Sequence, residues 1–153
     1  MKKTLCMLII LFFITMNTAS AELFNDLDRA VTEYNAYYEE LPSSIQILLG
    51  NEEILAGIMM NDGGELNVWL VTENGRVAEF EKVEDVEDYD PTIIIATDEA
   101  TVRSLINTTD PLSVYEGARS NGTLTIDPVG IVSSAKFLVA DLAFKLFKTA
   151  GII

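Results

Sequence analysis

The spacing of hydrophobic positions changes along the chain, and the changes divide it into elements. Between residues 23 and 41, apolar side chains recur at helical spacing, and Pro42 ends this pattern. A short helical segment is predicted at residues 44–49, before Gly50. An apolar run at residues 54–60 then opens a part of the chain in which apolar and polar positions alternate. Two helices followed by strands are therefore expected.

The alternating part of the chain predicts three antiparallel strands joined in sequence. Leu66, Val68 and Leu70 share one face of the second strand, because side chains alternate between the two faces of a sheet. An Asn-Gly pair at Asn74 is a strong hairpin signal, since both residues accept positive φ. The third strand follows at residues 76–83, which completes a meander.

Two short helices come next, and each has a capping signal. The stretch DPTIIIATDEATVRSLI, residues 90–106, contains a fourth strand at 92–96, whose three isoleucines predict burial on both faces of the sheet. Thr97 is expected to cap the helix after it. Asp110 is expected to cap the second helix, with Pro111 at its first helical position.

The last elements are a fifth strand and a long helix. The strand is predicted at residues 123–126 and is expected to break at Asp127 and Pro128, and the helix is predicted at residues 131–148. The complete order predicts the α+β class. We expect a five-stranded, mostly antiparallel sheet with helices packed on one face.

The N-terminus has the composition of a secretory signal. Two lysines precede an apolar run of about a dozen residues, and small residues at Ala19 and Ala21 form a cleavage pattern. The run is shorter than the roughly 20 residues that span a membrane. We predict a signal peptide at residues 1–21 and a single secreted or extracytoplasmic domain at residues 22–153. An uncleaved membrane anchor is the alternative.

Composition excludes several classes of function. Cleavage would remove Lys2 and Lys3, so that the net charge falls from −14 to −16, and the mature chain would contain neither Cys nor His. Such a charge repels nucleic acids and anionic membranes. Without Cys or His, the usual nucleophile–base pairs cannot form. The acidic cluster at residues 79–90 lacks the spacing of a calcium-binding loop. We therefore expect no enzyme, no cofactor and no metal site.

The order of elements and three segments resemble the sterol-carrier-protein-type lipid-transfer domain. Residues 90–106 match the family's strand-then-helix segment, and residues 66–83 match its central hairpin. DPLSVYEGARSNGTLTI, residues 110–126, matches a short helix with an aromatic residue that leads into Gly-x-Leu-x-Ile. Two features depart from the family: Pro128 replaces a glycine that usually follows this motif, and known members are mostly intracellular.

The resemblance implies a module that binds an apolar molecule in an internal tunnel and performs no chemistry. The ligand would be a fatty acyl chain, a sterol or an isoprenoid-like lipid. Arg103 and Arg119 are candidates for contact with a lipid headgroup, because cations are scarce in this chain. The apolar pocket would be lined by Val68, Leu70, Ile94, Leu105, Leu112, Tyr115, Phe137, Leu138, Leu142 and Phe147.

An alternative function uses a surface instead of a pocket. An extracellular interaction domain with a fully packed core would dimerise or bind a protein partner through an apolar surface. Trp69 is expected on the sheet face opposite Leu66, where it either covers a neighbouring strand or contacts a partner. In both interpretations the protein is a monomer or weak homodimer with at most transient membrane contact. Asn107 and Asn121 begin N-glycosylation sequons.

Overall fold

The structure of the chain is a computed structural model that describes residues 2–40 and 50–130, with the backbone alone for residues 2–18 and Leu112. The helices predicted at residues 44–49 and 131–148 lie outside the described residues. The elements are the helices α1 Lys2–Tyr37, α2 Glu99–Asn107 and α3 Pro111–Asn121, the strands β1 Glu53–Met59, β2 Glu65–Glu73, β3 Arg76–Val83, β4 Ile93–Asp98 and β5 Leu124–Pro128, and short 3-10 helices at Tyr38–Glu40 and Val86–Asp88.

The five strands form one mixed sheet in the order β3-β2-β1-β4-β5. The pair β1 and β4 at its centre is parallel, and the other neighbouring pairs are antiparallel. The predicted class is therefore confirmed: the fold is α+β with a mostly antiparallel five-stranded sheet. The predicted meander is also confirmed, because β1, β2 and β3 are neighbours in sequence order.

The hairpin between β2 and β3 forms where the Asn-Gly pair predicted it. Asn74 has φ 51° and Gly75 has φ 87°, so both residues take the left-handed conformation of the tight turns that match strand twist. The register shifts between Val71 and Thr72, which leaves one extra residue on β3. Such a bulge increases the local twist of the strand.

Strand register divides the side chains of the sheet between two faces. We call the face that carries Ile58, Leu66 and Val68 the inner face, and the opposite one the outer face. The helices α1 and α2 contact the inner face, where Leu23 and Val102 join its residues in one buried cluster. This cluster is the core of the described part of the chain.

The prediction that β4 is buried on both faces is wrong. Ile94 is 40% exposed and Ala96 is also exposed, whereas Ile93 and Ile95 are half-buried. A continuous apolar strand is fully buried only where helices cover both faces of a sheet. Because α1 and α2 cover the inner face, alternate residues of β4 meet solvent.

Strands β4 and β5 both end further along the chain than predicted. Strand β4 continues through Asp98, and this residue, not Thr97, caps α2 by accepting a hydrogen bond from the Thr101 N–H at 2.7 Å. Strand β5 continues through Asp127 and Pro128. Proline is tolerated there because β5 is an edge strand.

The capping signals around α3 are confirmed. Asp110 accepts a hydrogen bond from the Ser113 N–H at 3.2 Å, and Pro111 occupies the first turn. Gly122 ends the helix with φ 81°, a left-handed conformation that glycine adopts at little cost.

Helix α1 crosses the inner face and ends on the β2–β3 hairpin. The Asn35 amide donates to the Val77 carbonyl at 2.9 Å, and its oxygen accepts from the Val77 N–H at 3.0 Å. The Tyr34 and Tyr38 hydroxyl groups donate to the two carbonyl groups of the turn. We call these three side chains the hairpin clamp. It fixes one end of α1, and Leu23, with no exposed surface, fixes a point further toward the N-terminus.

Helix α1 also runs through the predicted cleavage site, and Ala19 packs against the core. Cleavage after Ala21 stays a prediction. Within residues 2–40 and 50–130, no helix combines the length and apolar character that crossing a membrane requires.

The hairpin clamp can be tested by removing Asn35. Because Asn35→Ala deletes two hydrogen bonds to β3, we expect the free energy of unfolding to fall by about 1–3 kcal/mol. Asn25→Ala, an exposed site on the same helix, is the matched control and is expected to change little. Urea denaturation followed by circular dichroism measures both, and equal effects at the two sites would contradict the clamp.

Candidate functional site

Part of the inner face is apolar but not fully covered. Ile58, Leu66 and Val68 are buried beneath the helices, whereas other apolar side chains on the same face are half-buried. We call these the inner apolar patch: Ile54, Leu70, Ile93, Ile95 and Ile126. All five side chains lie on the side of the sheet where the helices pack.

The inner apolar patch is continuous across four strands. Ile54 on β1 pairs with Leu70 on β2 and with Ile93 on β4. Two residues further along β4, Ile95 pairs with Ile126 on β5. Directly paired side chains lie about 4.5–5.5 Å apart, so these five residues form one apolar surface.

Thr97 brings a polar atom to the end of the inner apolar patch. It follows Ile95 on the same face of β4 and pairs with Ile58 and Leu124, both of which are buried. Its Oγ1 is buried and has no hydrogen-bond partner in the described part of the chain. A buried hydroxyl without a partner costs about 1–3 kcal/mol. A hydrogen bond to a polar group of a bound molecule would remove this cost.

The structure separates the predicted pocket residues. Val68 lies in the packed core with 3% of its surface exposed, and Leu70 belongs to the inner apolar patch. Leu105 on α2 and Tyr115 on α3 are half-buried. Ile94, the pocket residue predicted on β4, lies on the outer face by register, away from Val68 and Leu70.

Five predicted pocket residues fall outside the side chains that the structure describes. The side chain of Leu112 lies outside the described part of the chain, as do Phe137, Leu138, Leu142 and Phe147. The contributions of the last helix and of Leu112 to a pocket therefore stay predictions.

Arg103 belongs to an ionic cluster that joins two helices. Its Nε lies 2.8 Å from Glu99 Oε1, and its Nη1 lies 3.6 Å from Asp26 on α1. Glu99 is 5% exposed, and its other oxygen accepts from the Asn61 N–H at 2.9 Å. The cluster thus ties α2 to α1 and to the turn after β1.

These hydrogen bonds change the acidity of Glu99. A hydrogen bond from the Asn61 N–H and, to a smaller extent, one from the Arg103 side chain hold the pKa of Glu99 below its ordinary value of 4.5.

Arg119, the other predicted headgroup contact, is exposed in the last turn of α3. A basic side chain is favourable at that end of a helix. A headgroup role for either arginine stays a prediction.

Trp69 lies on the outer face, as the alternation predicted, and it is covered. Its ring packs against Tyr89 with the ring centroids 4.7 Å apart, and Trp69 is only 6% exposed. The Tyr89 hydroxyl donates to Glu81 at 2.9 Å. The aromatic pair therefore holds the acidic connection after β3 against the sheet.

A depression of about 360 Å³ lies where β1 and β2 reach the loop before β1 and the hairpin. It is lined by Asn51, Glu52, Glu53, Val71, Thr72, Glu73 and Asn74. Three carboxylates and two amides suit a cationic or polar group, whereas a lipid chain requires an apolar lining. The depression is therefore unsuited to an apolar ligand.

The acidic connection between β3 and β4 is solvated. Residues 84–88 are exposed, and Asp85 caps the short 3-10 helix by accepting from the Glu87 N–H at 3.2 Å. Within the described ranges, no group of three or more His, Cys, Asp or Glu side chains is arranged to hold a metal ion.

Comparison with known proteins identifies similar folds among solved structures. No family model and no curated protein matches the chain. The crystal structure of a sterol carrier protein 2 is 17% identical, and the match covers 72% of this chain and 86% of that one, with a TM-score of 0.47. Apo sterol carrier protein 2 from Yarrowia lipolytica is 11% identical, with 64% and 79% covered and a TM-score of 0.44.

A third similar structure comes from an insect. Sterol carrier protein 2 like 2 from Aedes aegypti is 9% identical and covers 76% of this chain and 94% of its own, with a TM-score of 0.44. All three similar structures are named as sterol carrier proteins.

Sequence reasoning missed most of the inner apolar patch and Thr97. The alternation of β4 shows that Ile93, Ile95 and Thr97 share a face. However, the face that the helices cover follows only from the pairing with β1. A strand rich in β-branched residues followed by a polar residue on the same face was the available signal.

The ionic cluster predicts a pH-dependent stability. A carboxyl group with a lowered pKa stabilises the fold above its unfolded pKa, near 4.5 for Glu99, and loses this contribution as pH falls through its lower folded pKa. Glu99→Gln is expected to reduce the free energy of unfolding by about 1.5–3 kcal/mol at neutral pH. The difference from the unaltered protein should shrink below pH 4.5.

Urea denaturation over a pH series measures this difference. Glu84→Gln, at an exposed position, is the matched control and should have little effect at any pH. A Glu99→Gln effect that stays constant into the acidic range would contradict a lowered pKa for Glu99.

Proposed function

We propose that this protein binds a lipid noncovalently on the inner face of its sheet. The observation that carries the proposal is the inner apolar patch, which is continuous across four strands and half-buried. It ends at the buried Thr97 hydroxyl, which has no partner among residues 2–40 and 50–130. Sites for such ligands are concave and mostly apolar, with a few polar groups that set orientation. The patch has this composition.

The dimensions and chemistry of the patch define the ligand class. Neighbouring strands are about 4.8 Å apart, so the four strands provide roughly 14 Å of apolar surface. This length accommodates an extended alkyl chain, the ring system of a sterol or an isoprenoid segment. The Thr97 hydroxyl would bond a polar end group such as a hydroxyl or a carboxylate. We propose that an internal tunnel between the sheet and the helices encloses the ligand.

The proposed activity involves no catalysis. The chain has one Cys, at residue 6, and no His. The usual nucleophile–base pairs therefore cannot be built from residues 22–153. Binding and release of the ligand would be the complete activity.

The lipid site can be tested with two adjacent isoleucines of β4. Ile95→Phe places a larger side chain in the inner apolar patch, whereas Ile94→Phe is the matched change on the outer face. We expect the Kd for a fluorescent fatty acid to rise at least about tenfold for Ile95→Phe, a loss of about 1.4 kcal/mol. For Ile94→Phe we expect no change in Kd.

A second variant and a mass measurement complete this test. Thr97→Val should weaken binding of the fatty acid about three- to tenfold through loss of one hydrogen bond, and Thr97→Ser should retain it. Native mass spectrometry after mild extraction should show a monomer that carries a lipid. A ligand-free dimer, or equal Kd values for both phenylalanine variants, would contradict lipid binding.

We also propose that the mature protein begins at Glu22 and acts outside the cytoplasm. Leu23 is fully buried, so cleavage after Ala21 retains this residue of the core. Secretory expression of the full chain should yield an intact mass that begins at Glu22. Ala19→Asp removes a small residue that the cleavage pattern requires and should block processing. Secreted protein that retains residues 1–21 would contradict the proposal.

A further inference from the structure

The outer face of the sheet carries a second apolar area. Leu55 on β1 pairs with Trp69 on β2 and with Ile94 on β4, so these side chains form a continuous band across the middle of the face. Met59 is 57% exposed and Ile94 is 40% exposed. We call this area the outer apolar strip: Leu55, Met59, Val71, Ile94 and Ala96, with Trp69 beneath Tyr89 at its edge.

The outer apolar strip is surrounded by carboxylates. Strand register assigns seven acidic residues to the outer face: Glu53, Glu65, Glu73, Glu79, Glu81, Asp98 and Asp127. Val71 has an acidic partner on each side, Glu53 on β1 and Glu79 on β3. Glu53 and Glu79 are two strand spacings apart, about 10 Å, so a cation placed between them would interact favourably with both.

Basic side chains do not balance these charges. Arg76 is the one basic residue that register assigns to the described part of the outer face. Its guanidinium lies 5.3 Å from the centroid of the Tyr38 ring and 3.2 Å from Glu39, both near the end of α1. Arg76 is thus directed toward the helix layer. Lys82 on β3 pairs with Val68 and so has the register of the inner face.

We propose that the outer face docks a cationic segment of a partner protein. Apolar side chains of the partner would pack on Leu55, Met59 and Ile94, and its Lys or Arg side chains would contact the surrounding carboxylates. An apolar area with a charged rim is a common form of interaction site. Charge complementarity would steer the encounter and set the specificity.

Charge also excludes the other occupants of this face. Nucleic acids and anionic membranes would bring negative charge against seven carboxylates. A second copy of the chain would oppose the same seven carboxylates to its own. A cationic protein segment is the occupant that both neutralises the rim and covers the apolar centre.

The proposal is independent of the lipid site. Ile94 and Ile95 are consecutive on β4 and point to opposite faces. The outer apolar strip and the inner apolar patch share no residue. A substitution can therefore impair docking and leave lipid binding unchanged, or impair lipid binding alone.

The probe for the test is a labelled synthetic peptide in which leucine and lysine alternate. Fluorescence anisotropy measures its binding to the full chain. Ile94→Ser should weaken binding at least about fivefold, because apolar contact is lost. The Glu53→Gln, Glu79→Gln double variant should also weaken binding at least about fivefold and reduce its dependence on salt. Both variants should bind the fluorescent fatty acid as the unaltered protein does.

The matched control alters the same charge elsewhere. The Asp28→Asn, Glu33→Gln double variant removes two exposed carboxylates from α1, and it should change peptide binding less than about twofold, because α1 lies on the other side of the sheet and exposed charges beyond a Debye length of about 10 Å are largely screened. Equal weakening by the two double variants would overturn the proposal, since binding would then follow net charge alone. The proposal would also be overturned if a lysine peptide without leucine bound as tightly as the leucine-containing probe.

Two further measurements distinguish the other occupants. Sedimentation of the full chain should show a monomer, and a dimer that Ile94→Ser dissociates would assign the outer face to a second copy and overturn the proposal. Vesicles of phosphatidylcholine and phosphatidylglycerol should not bind. Binding of these vesicles that Ile94→Ser abolishes would assign the face to a membrane and would likewise overturn it.

Discussion

The rest of the structure depends on the packing of α1 against one face of the sheet. Leu23 is fully buried among residues of β1 and β2, and Phe24 stacks on Phe80 of β3 with centroids 5.0 Å apart. The hairpin clamp fixes the C-terminal end of the same helix through hydrogen bonds to the turn and to edge strand β3. Burial of apolar surface supplies most of the stabilisation, and the clamp determines the position of the helix. This contact makes one face of the sheet interior.

Coverage on one face explains why a single sheet supports two different surfaces. Successive side chains of a strand alternate between faces, so the isoleucine run of β4 serves both. Ile93 and Ile95 lie with the helices, whereas Ile94 meets solvent beside Leu55. The inner face combines apolar residues with the Thr97 hydroxyl, which is unpartnered within the described part of the chain. The outer face combines apolar residues with a carboxylate rim, and the two combinations favour different partners.

Electrostatics has a different role in each part of the molecule. In the helix layer, Glu99 is buried and bound by Arg103 and by a backbone N–H, so its charge holds α1, α2 and the turn after β1 together. A buried charge is tolerated because it is paired and hydrogen-bonded. On the outer face and in the acidic connection, carboxylates are exposed and contribute little to stability. Their effect there is on which molecules can approach.

The sequence alone determined the elements whose causes are local. The Asn-Gly turn, the Asp110 cap with its following proline and the bounds of β3 depend on neighbouring residues, and all were predicted correctly. Only the tertiary structure decided which residues form each face of the site. Leu70 belongs to the inner apolar patch, Val68 to the core and Ile94 to the outer face, because strand register and the position of α1 set these outcomes. The Thr97 hydroxyl is buried and does not cap α2, because β4 extends two residues further than predicted through pairing with β1. Contacts between residues distant in sequence carry no local signal, so the site required the fold.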